Sequence, residues 1–197
     1  VLCLTGLCLA HAANNLLNDI VDTSVGVDDG NYFRTQYGTH VLQDALLSQR
    51  QLWLMFCITG CSALLLGSAV IYLSSPWVMV PLVIGGALLL FYAWPLKKMG
   101  LGEVAVYLVW GPLIVMGTHY AMAGWWSWQV FAVACVAGLG PTTVIFGKHI
   151  DKLEFDQAKQ VHTLPVRLGD ELARKTCIAV LVMMYAATLL LMLFQWL

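Results

Sequence analysis

The stretch LWLMFCITGCSALLLGSAVIYL, residues 52–73, contains no charged side chain and is long enough to cross a lipid bilayer as one helix. Such a crossing needs about 20 mostly apolar residues. Further stretches of this kind lie at 77–95, 104–122, 126–146 and 176–197, and a shorter one lies at 1–17. The sequence therefore predicts an all-α integral membrane protein, a transmembrane bundle with about six segments, five of them complete.

The overall composition supports a protein that is embedded in lipid. The chain is 60% hydrophobic and 11% charged, and its mean hydropathy is +0.78. Soluble domains carry about 25% charged residues on average, so this composition argues against a soluble globular protein. The formal net charge of −1 gives no electrostatic basis for binding nucleic acid, and we expect none.

The connections between the apolar stretches alternate in charge. Every Lys, Arg, Asp and Glu lies in the odd connections, which are 19–50, 96–103 and 147–175. The even connections, around residues 74–76 and 124–128, carry no charge. Helices that cross in alternation place the odd connections on one side, and the Lys and Arg bias assigns that side to the cytoplasm.

Polar side chains continue the apolar stretch at the start of the chain. They follow the i, i+3, i+4, i+7 spacing, which places them on one face if the helix continues. These residues are Asn15, Asn18, Asp19 and Asp22, and Asp28 follows in the connection. Oxygen ligands of this kind suit Mg²⁺, which binds one or two carboxylates together with substrate phosphates. The alternative interpretation is a solvated polar helix end.

A second acidic segment begins the fifth connection. Asp151 and Glu154 can share a helix face, whereas Asp156 lies nearly one and a half turns beyond Asp151. The alternative here is an ordinary salt-bridged helix at the membrane surface, with Lys148 paired to Asp151 or Lys152 paired to Asp156.

The third connection supplies cations directly after an aromatic helix end. Lys97 and Lys98 follow Tyr92 closely and could hold diphosphate oxygens, or they could simply obey the positive-inside rule. Taken together, acidic groups on two helix ends could chelate Mg²⁺ ions that bridge a diphosphate. Lysine or arginine would neutralise the remaining charge of the departing pyrophosphate, and an apolar cavity would exclude water.

Several short motifs, in this order along the chain, resemble those of the UbiA superfamily of intramembrane prenyltransferases. The branch they resemble most is the menaquinone branch, that of enzymes like 1,4-dihydroxy-2-naphthoate polyprenyltransferase. The motifs are Asn18-Asp19-Ile20-Val21-Asp22 with Asp28, KMGLGE at 98–103, Gly111-Pro112, and TLPVRLG at 163–169. The resemblance covers nearly the whole chain.

The resemblance implies a set of site residues. The metal ligands would be Asn18, Asp22, Asp28, Asp151 and Asp156, of which the four aspartates would be catalytic. Substrate would be bound by Asn15, Asn18, Asp19, Tyr92, Lys97, Lys98 and Arg167. Two departures affect the second motif, because Lys148 stands where Asn is usual and the two acids are five residues apart rather than four. Aligned on Asp156, the earlier acid position is held by Lys152, and Asp151 or Glu154 is then the candidate to replace it.

The implied function is Mg²⁺-dependent transfer of a polyprenyl group from its diphosphate to an aromatic quinone precursor, such as a naphthoate or benzoate. We expect this in the bacterial inner membrane, among membrane lipids. An alternative is a non-catalytic subunit of a larger membrane complex that keeps the fold and binds quinone, pigment or lipid. A transporter or channel is the third hypothesis. No Asp, Glu, Lys or Arg lies at mid-span, which argues against an ion path.

The resemblance also implies a domain organisation. We expect residues 1–197 to form a single prenyltransferase-like domain. The family has nine membrane helices, so this chain would lack the first and the last two. The sequence begins at Val1 without Met and both ends lie in apolar stretches, which is the pattern expected of a fragment.

Overall fold

The computed structural model describes residues 1–24, 26, 39, 41–42 and 44–196. Within these residues the chain is helical and contains no strand. Asp28, which the sequence analysis assigns to the first metal site, lies outside the described residues. The described helices are α1 Leu2–Ser24, α2 Gln49–Leu73, α3 Pro76–Leu96, α4 Gly102–Ala123, α5 Trp128–Asp151, α6 Leu153–Ala158, α7 Leu164–Leu168 and α8 Asp170–Leu193.

Five of these helices, α2, α3, α4, α5 and α8, are long and apolar enough to cross a membrane. This confirms the five complete segments predicted from the sequence. Two of the five are irregular. Helix α3 begins with a 3₁₀ turn at Pro76–Val78 and ends with a π-helical turn at Tyr92–Leu96, and α4 contains a π-helical segment at Val109–Met116 that includes Pro112.

The surfaces of these helices are suited to lipid. Large apolar side chains such as Leu65, Ile84 and Val182 are more than one third exposed, and only 6% of the most apolar part of α2 or α8 is buried within the structure. A soluble protein rarely exposes contiguous apolar surface on this scale. The protein is therefore an integral membrane protein with a helical transmembrane fold.

Short polar sequences define where the helices begin and end. Ser48 and Gln51 form a reciprocal cap at the start of α2, with the Ser48 backbone N–H donating to Gln51 Oε1 at 2.8 Å. Ser127 caps α5 by accepting from the backbone N–H of Val130 at 3.3 Å. Gly124 ends α4 in the left-handed conformation, which glycine adopts without strain.

The described chain divides into two compact units, residues 1–73 and 74–197. In the first unit, α1 packs along α2. Gly6, near the start of α1, faces Leu66, near the end of α2, so the two helices run antiparallel. Helix α1 continues without interruption to Ser24, which confirms the assumption that placed the polar residues 15–22 on one helix.

In the second unit, α5 is the central helix. Helix α8 packs on it through Phe146, Ile150 and Ala173, which form a small buried core at one end. On the other side, α4 approaches α5 closely at Gly111 and Gly138. A Cβ atom on Gly111 would lie 2.6 Å from the carbonyl oxygen of Ala134, so a larger residue does not fit there.

Replacing Gly111 by Ala should destabilise the second unit by about 1–3 kcal/mol, because the added methyl group must push α4 away from α5. The measurement is the free energy of unfolding by SDS in mixed micelles. Gly85→Ala is the matched control, since nothing lies within 4 Å of a Cβ there. If the two variants unfold alike, the close approach of α4 and α5 is wrong.

Candidate functional site

The first candidate site lies near the end of α1, where two residues one turn apart are joined by a hydrogen bond. Asn18 Nδ2 donates to Asp22 Oδ2 at 2.9 Å. The Asp22 side chain is only 5% exposed, while Asp19 is half-buried and Asn15 is exposed beside His11. The helix therefore directs its most buried carboxylate and an amide toward the same place.

The donor atoms at this place fit a hard cation. Asn18 Oδ1 is buried and has no hydrogen-bond partner among the described residues. An orphaned amide oxygen is costly to bury, and a bound cation would satisfy it. With the Asp22 carboxylate one turn away, the pair offers the oxygen ligands that Mg²⁺ takes in addition to water and phosphate.

The second candidate site, in the unit 74–197, is organised around a buried acid–base pair. His149 Nδ1 lies 2.6 Å from Glu103 Oε1, and both side chains are 2% exposed. The pair joins the first turn of α4 to the last turn of α5. Glu103 Oε2 is buried without a hydrogen-bond partner among the described residues. The pair therefore holds the start of α4 against the end of α5, next to the connections 96–103 and 147–175.

Asp156, on α6, belongs to the same cluster. Its side chain is 0% exposed and lies 3.5 Å from the ammonium of Lys152. Burial raises the pKa of Asp156 above its usual value, and the positive charges of Lys152, His149 and Lys97 oppose part of that rise. The cluster thus gathers one aspartate, two lysines and the Glu103–His149 pair.

The two acids predicted for the second metal site differ in burial. The structure buries Asp156, whereas Asp151 is exposed at the end of α5, and Glu154 is exposed as well. Among the described residues there is no group of three or more His, Cys, Asp or Glu side chains arranged to hold a metal ion. The role assigned to Asp151 and Asp156 as paired ligands stays a prediction.

The residues predicted to bind phosphate also lie in different environments. Lys97 is 4% exposed and acts electrostatically on Asp156, whereas the Lys98 ammonium lies over the Trp94 ring, 4.5 Å from its centroid. Tyr92 is half-buried. Arg167 is exposed and donates from Nε to the backbone carbonyl of His162 at 3.3 Å.

Gly100, in the connection 96–103, packs against the connection 147–175. It has a φ of +70°, and a Cβ there would lie 2.7 Å from the Cδ atom of Arg167 and 3.0 Å from the carbonyl oxygen of His162. A side chain at position 100 would therefore be strained and crowded at once. The contact shows that these two charged connections meet at one end of the unit.

Glu103 and His149 were not predicted as site residues. Each lies at the end of an apolar span, and ionisable residues in such spans are by default functional candidates. That signal was present in the sequence, but it does not show that the two side chains meet.

Asp156 should give the metal-free protein a characteristic pH dependence. Because its pKa in the folded state is raised, the fold favours the protonated carboxyl group. Its contribution to stability is therefore present below the unfolded pKa of about 3.9 and is lost as the pH rises through the folded value. Asp156→Asn should remove this dependence, whereas exposed Glu154→Gln should keep it. Unfolding midpoints measured in EDTA from pH 4 upward test this. A wild-type midpoint that changes with pH as in Asp156→Asn would contradict it.

Comparisons with known proteins identify the family of the chain. The chain belongs to the UbiA prenyltransferase family, whose sequence profile matches residues 1–197. It is 30% identical to the 1,4-dihydroxy-2-naphthoate octaprenyltransferase of Mycobacterium leprae over 90% of this chain and 60% of that protein. The protein of the same name in Mycobacterium tuberculosis is also 30% identical, over 81% of this chain and 54% of its own length.

A third relative is the 2-carboxy-1,4-naphthoquinone phytyltransferase of Synechocystis, which is 24% identical over 88% of this chain. The chain spans about half of these curated relatives' length, between 54% and 60%. No solved structure gives a significant match. The menaquinone branch suggested by the motifs is thus confirmed as the one to which the chain is similar.

Proposed function

We propose that this chain carries the active site of a membrane enzyme that transfers a polyprenyl group from its diphosphate to an aromatic quinone precursor, with Mg²⁺ as cofactor. The observation that carries the proposal is the Asn18–Asp22 pair, with its buried carboxylate and unsatisfied amide oxygen. By the resemblance of the sequence motifs, this pair would correspond to the first acidic motif of the family. The names of the similar proteins support a naphthoate as acceptor.

The reaction breaks the bond between the allylic carbon and the diphosphate oxygen and forms a bond from that carbon to the aromatic ring. Pyrophosphate and one ring proton are released. In the first unit, Asp22 and Asn18 would hold the cation. In the second unit, the positive charges of Lys152 and Lys97 beside Asp156 would attract diphosphate oxygens. Mg²⁺, when bound, supplies charge neutralisation for the leaving pyrophosphate. The apolar helices keep water from the reactive carbon.

The location of the protein follows from the same proposal. The charged connections 96–103 and 147–175 lie on the cytoplasmic side of a bacterial inner membrane, where Mg²⁺ and the diphosphate headgroup of the lipid donor meet. The prenyl chain lies among the apolar helices. The bias of Lys and Arg toward these connections supports this orientation.

The test uses the protein in lipid vesicles with radiolabelled geranylgeranyl diphosphate and a panel of acceptors. We expect prenylated product with 1,4-dihydroxy-2-naphthoate, equimolar release of pyrophosphate, and loss of both in EDTA. A hydroxybenzoate and an acceptor-free reaction serve as controls. No product with any acceptor at saturating Mg²⁺ would refute the proposal.

A non-catalytic membrane subunit is the second candidate function. The observation that favours it is the ion pair of Asp156 with Lys152, because a carboxylate paired with lysine is not the usual arrangement of a metal site. Stable co-purification with other subunits, together with no Mg²⁺-dependent turnover, would support this candidate over the enzyme.

A further inference from the structure

The Asp156 carboxylate is fully buried but lacks the hydrogen bonds that a buried carboxylate normally receives. Both of its oxygens are without a hydrogen-bond partner in the part of the chain that the structure describes. The Lys152 ammonium, at 3.5 Å, forms an ion pair that is longer than the charge-assisted hydrogen bond of about 2.7–2.9 Å. The Asp156 carboxylate is therefore compensated mainly by nearby positive charge rather than by short hydrogen bonds from the described residues.

The surroundings of Asp156 carry positive charge rather than more acid. Lys152 is 14% exposed and Lys97 is 4% exposed, and both raise the local potential at the carboxylate. Glu103 contacts His149 through one carboxylate oxygen at 2.6 Å, and the charges that act on Asp156 are those of Lys152, His149 and Lys97. The two ammonium groups beside Asp156 favour a bound polyanion over a divalent cation at this carboxylate.

The start of α6 brings an ammonium beside this carboxylate. Lys152 is the residue that directly precedes α6, four residues before Asp156, and its Nζ lies 3.5 Å from Asp156 Oδ1. The exposed acids of this segment, Asp151 and Glu154, do not share the buried position. The donor set therefore does not fit a metal ion that depends on two carboxylates from this segment.

We propose that the second site has no metal ion of its own and that Lys152, with Lys97, binds diphosphate oxygens directly. This inference rests on the proposed function, because it names the ligand chemistry of the same site. Asp156 then acts as a positioning residue that holds the Lys152 ammonium against the diphosphate. Metal binding is confined to the segment that contains Asn18 and Asp22, with one divalent ion per chain.

The stoichiometry of bound metal tests the proposal without measuring turnover. The purified protein in lipid nanodiscs is dialysed to equilibrium against Mn²⁺ and inorganic pyrophosphate, and bound Mn²⁺ is counted by elemental analysis. We expect one Mn²⁺ per wild-type chain. Lys152→Asp creates two carboxylates one turn apart and should bind two, while the exposed Lys159→Asp should still bind one. Two Mn²⁺ in the wild type, or an unchanged count in Lys152→Asp, would overturn the proposal.

A second variant keeps the proposal testable if Lys152→Asp does not fold. Lys152→Gln should weaken pyrophosphate binding about tenfold or more while the Mn²⁺ count stays at one, since a hydrogen bond to a charged group is lost. Lys159→Gln should bind pyrophosphate like the wild type. Wild-type affinity in Lys152→Gln would refute direct binding.

The two proposals fail in different ways. Prenyl transfer by a wild-type protein that binds two Mn²⁺ would leave the proposed function standing and refute the lysine site. One bound Mn²⁺ with pyrophosphate but no transfer to any acceptor would refute the proposed function and leave the lysine site standing.

Discussion

Asp22→Asn should reduce the rate of pyrophosphate release by about 10²–10³-fold, the loss expected when one preorganised charge-stabilising group is removed. The replacement keeps the size of the side chain and an oxygen that can accept from Asn18 Nδ2. The helix should therefore remain folded while the negative charge that holds the cation is lost. The measurement is pyrophosphate release as a function of Mg²⁺ concentration, which should also show a higher half-saturating concentration.

Asp44→Asn is the matched control, because Asp44 is an exposed aspartate in the same predicted connection and no metal role is assigned to it. It should leave the Mg²⁺ dependence unchanged. Turnover that is intact in Asp22→Asn would show that the cation site has been assigned to the wrong residues. A loss of rate in both variants would indicate a general electrostatic effect of the connection and would contradict the specific role of Asp22.

The transmembrane helices could be predicted because membrane crossing depends on a local property, the length of an apolar stretch. The residues at which these helices begin and end were harder to predict. Helix α2 begins at Gln49, three residues before the predicted segment at 52–73, because the Ser48–Gln51 cap adds a polar first turn. The π-helical segment at Val109–Met116 in α4 contains Pro112, which has no backbone N–H to donate, and hydrophobic periodicity does not show how the helix adjusts to it.

The two predicted acidic clusters differ for a similar reason. Asn18 and Asp22 lie on one uninterrupted helix, so their spacing alone was sufficient to predict that they meet. Asp151 and Asp156 do not lie on one continuous helix. Helix α5 ends at Asp151 and α6 begins at Leu153, so helical spacing cannot be extended from one acid to the other. Only the folded chain shows which acid is buried.

The Glu103–His149 pair should be the largest single contribution to stability among the side-chain ion pairs described in the second unit. Its partners are 46 residues apart in the sequence and both are 2% exposed. Glu103→Ala should reduce the free energy of unfolding by about 3–5 kcal/mol, because removing one partner leaves the other buried without compensation. SDS unfolding in mixed micelles measures this loss.

Glu171→Ala provides the contrast within the same unit. Glu171 and Lys175 are also 2.6 Å apart, but their side chains are 84% and 69% exposed, so water replaces the lost partner. No measurable change in stability is expected. If both variants lose similar stability, burial is not what gives the Glu103–His149 pair its importance.

A double replacement separates the pair's interaction energy from the cost of leaving a buried polar group alone. Glu103→Leu combined with His149→Leu should destabilise the protein by less than the sum of the single variants, since neither leaves an uncompensated partner. The same double variant should still weaken pyrophosphate binding, because the pair joins α4 to α5 and so positions Lys97 relative to Asp156. Recovered stability with impaired pyrophosphate binding would show that the pair positions the site as well as stabilising the fold. Recovered stability with wild-type binding would confine it to a structural role.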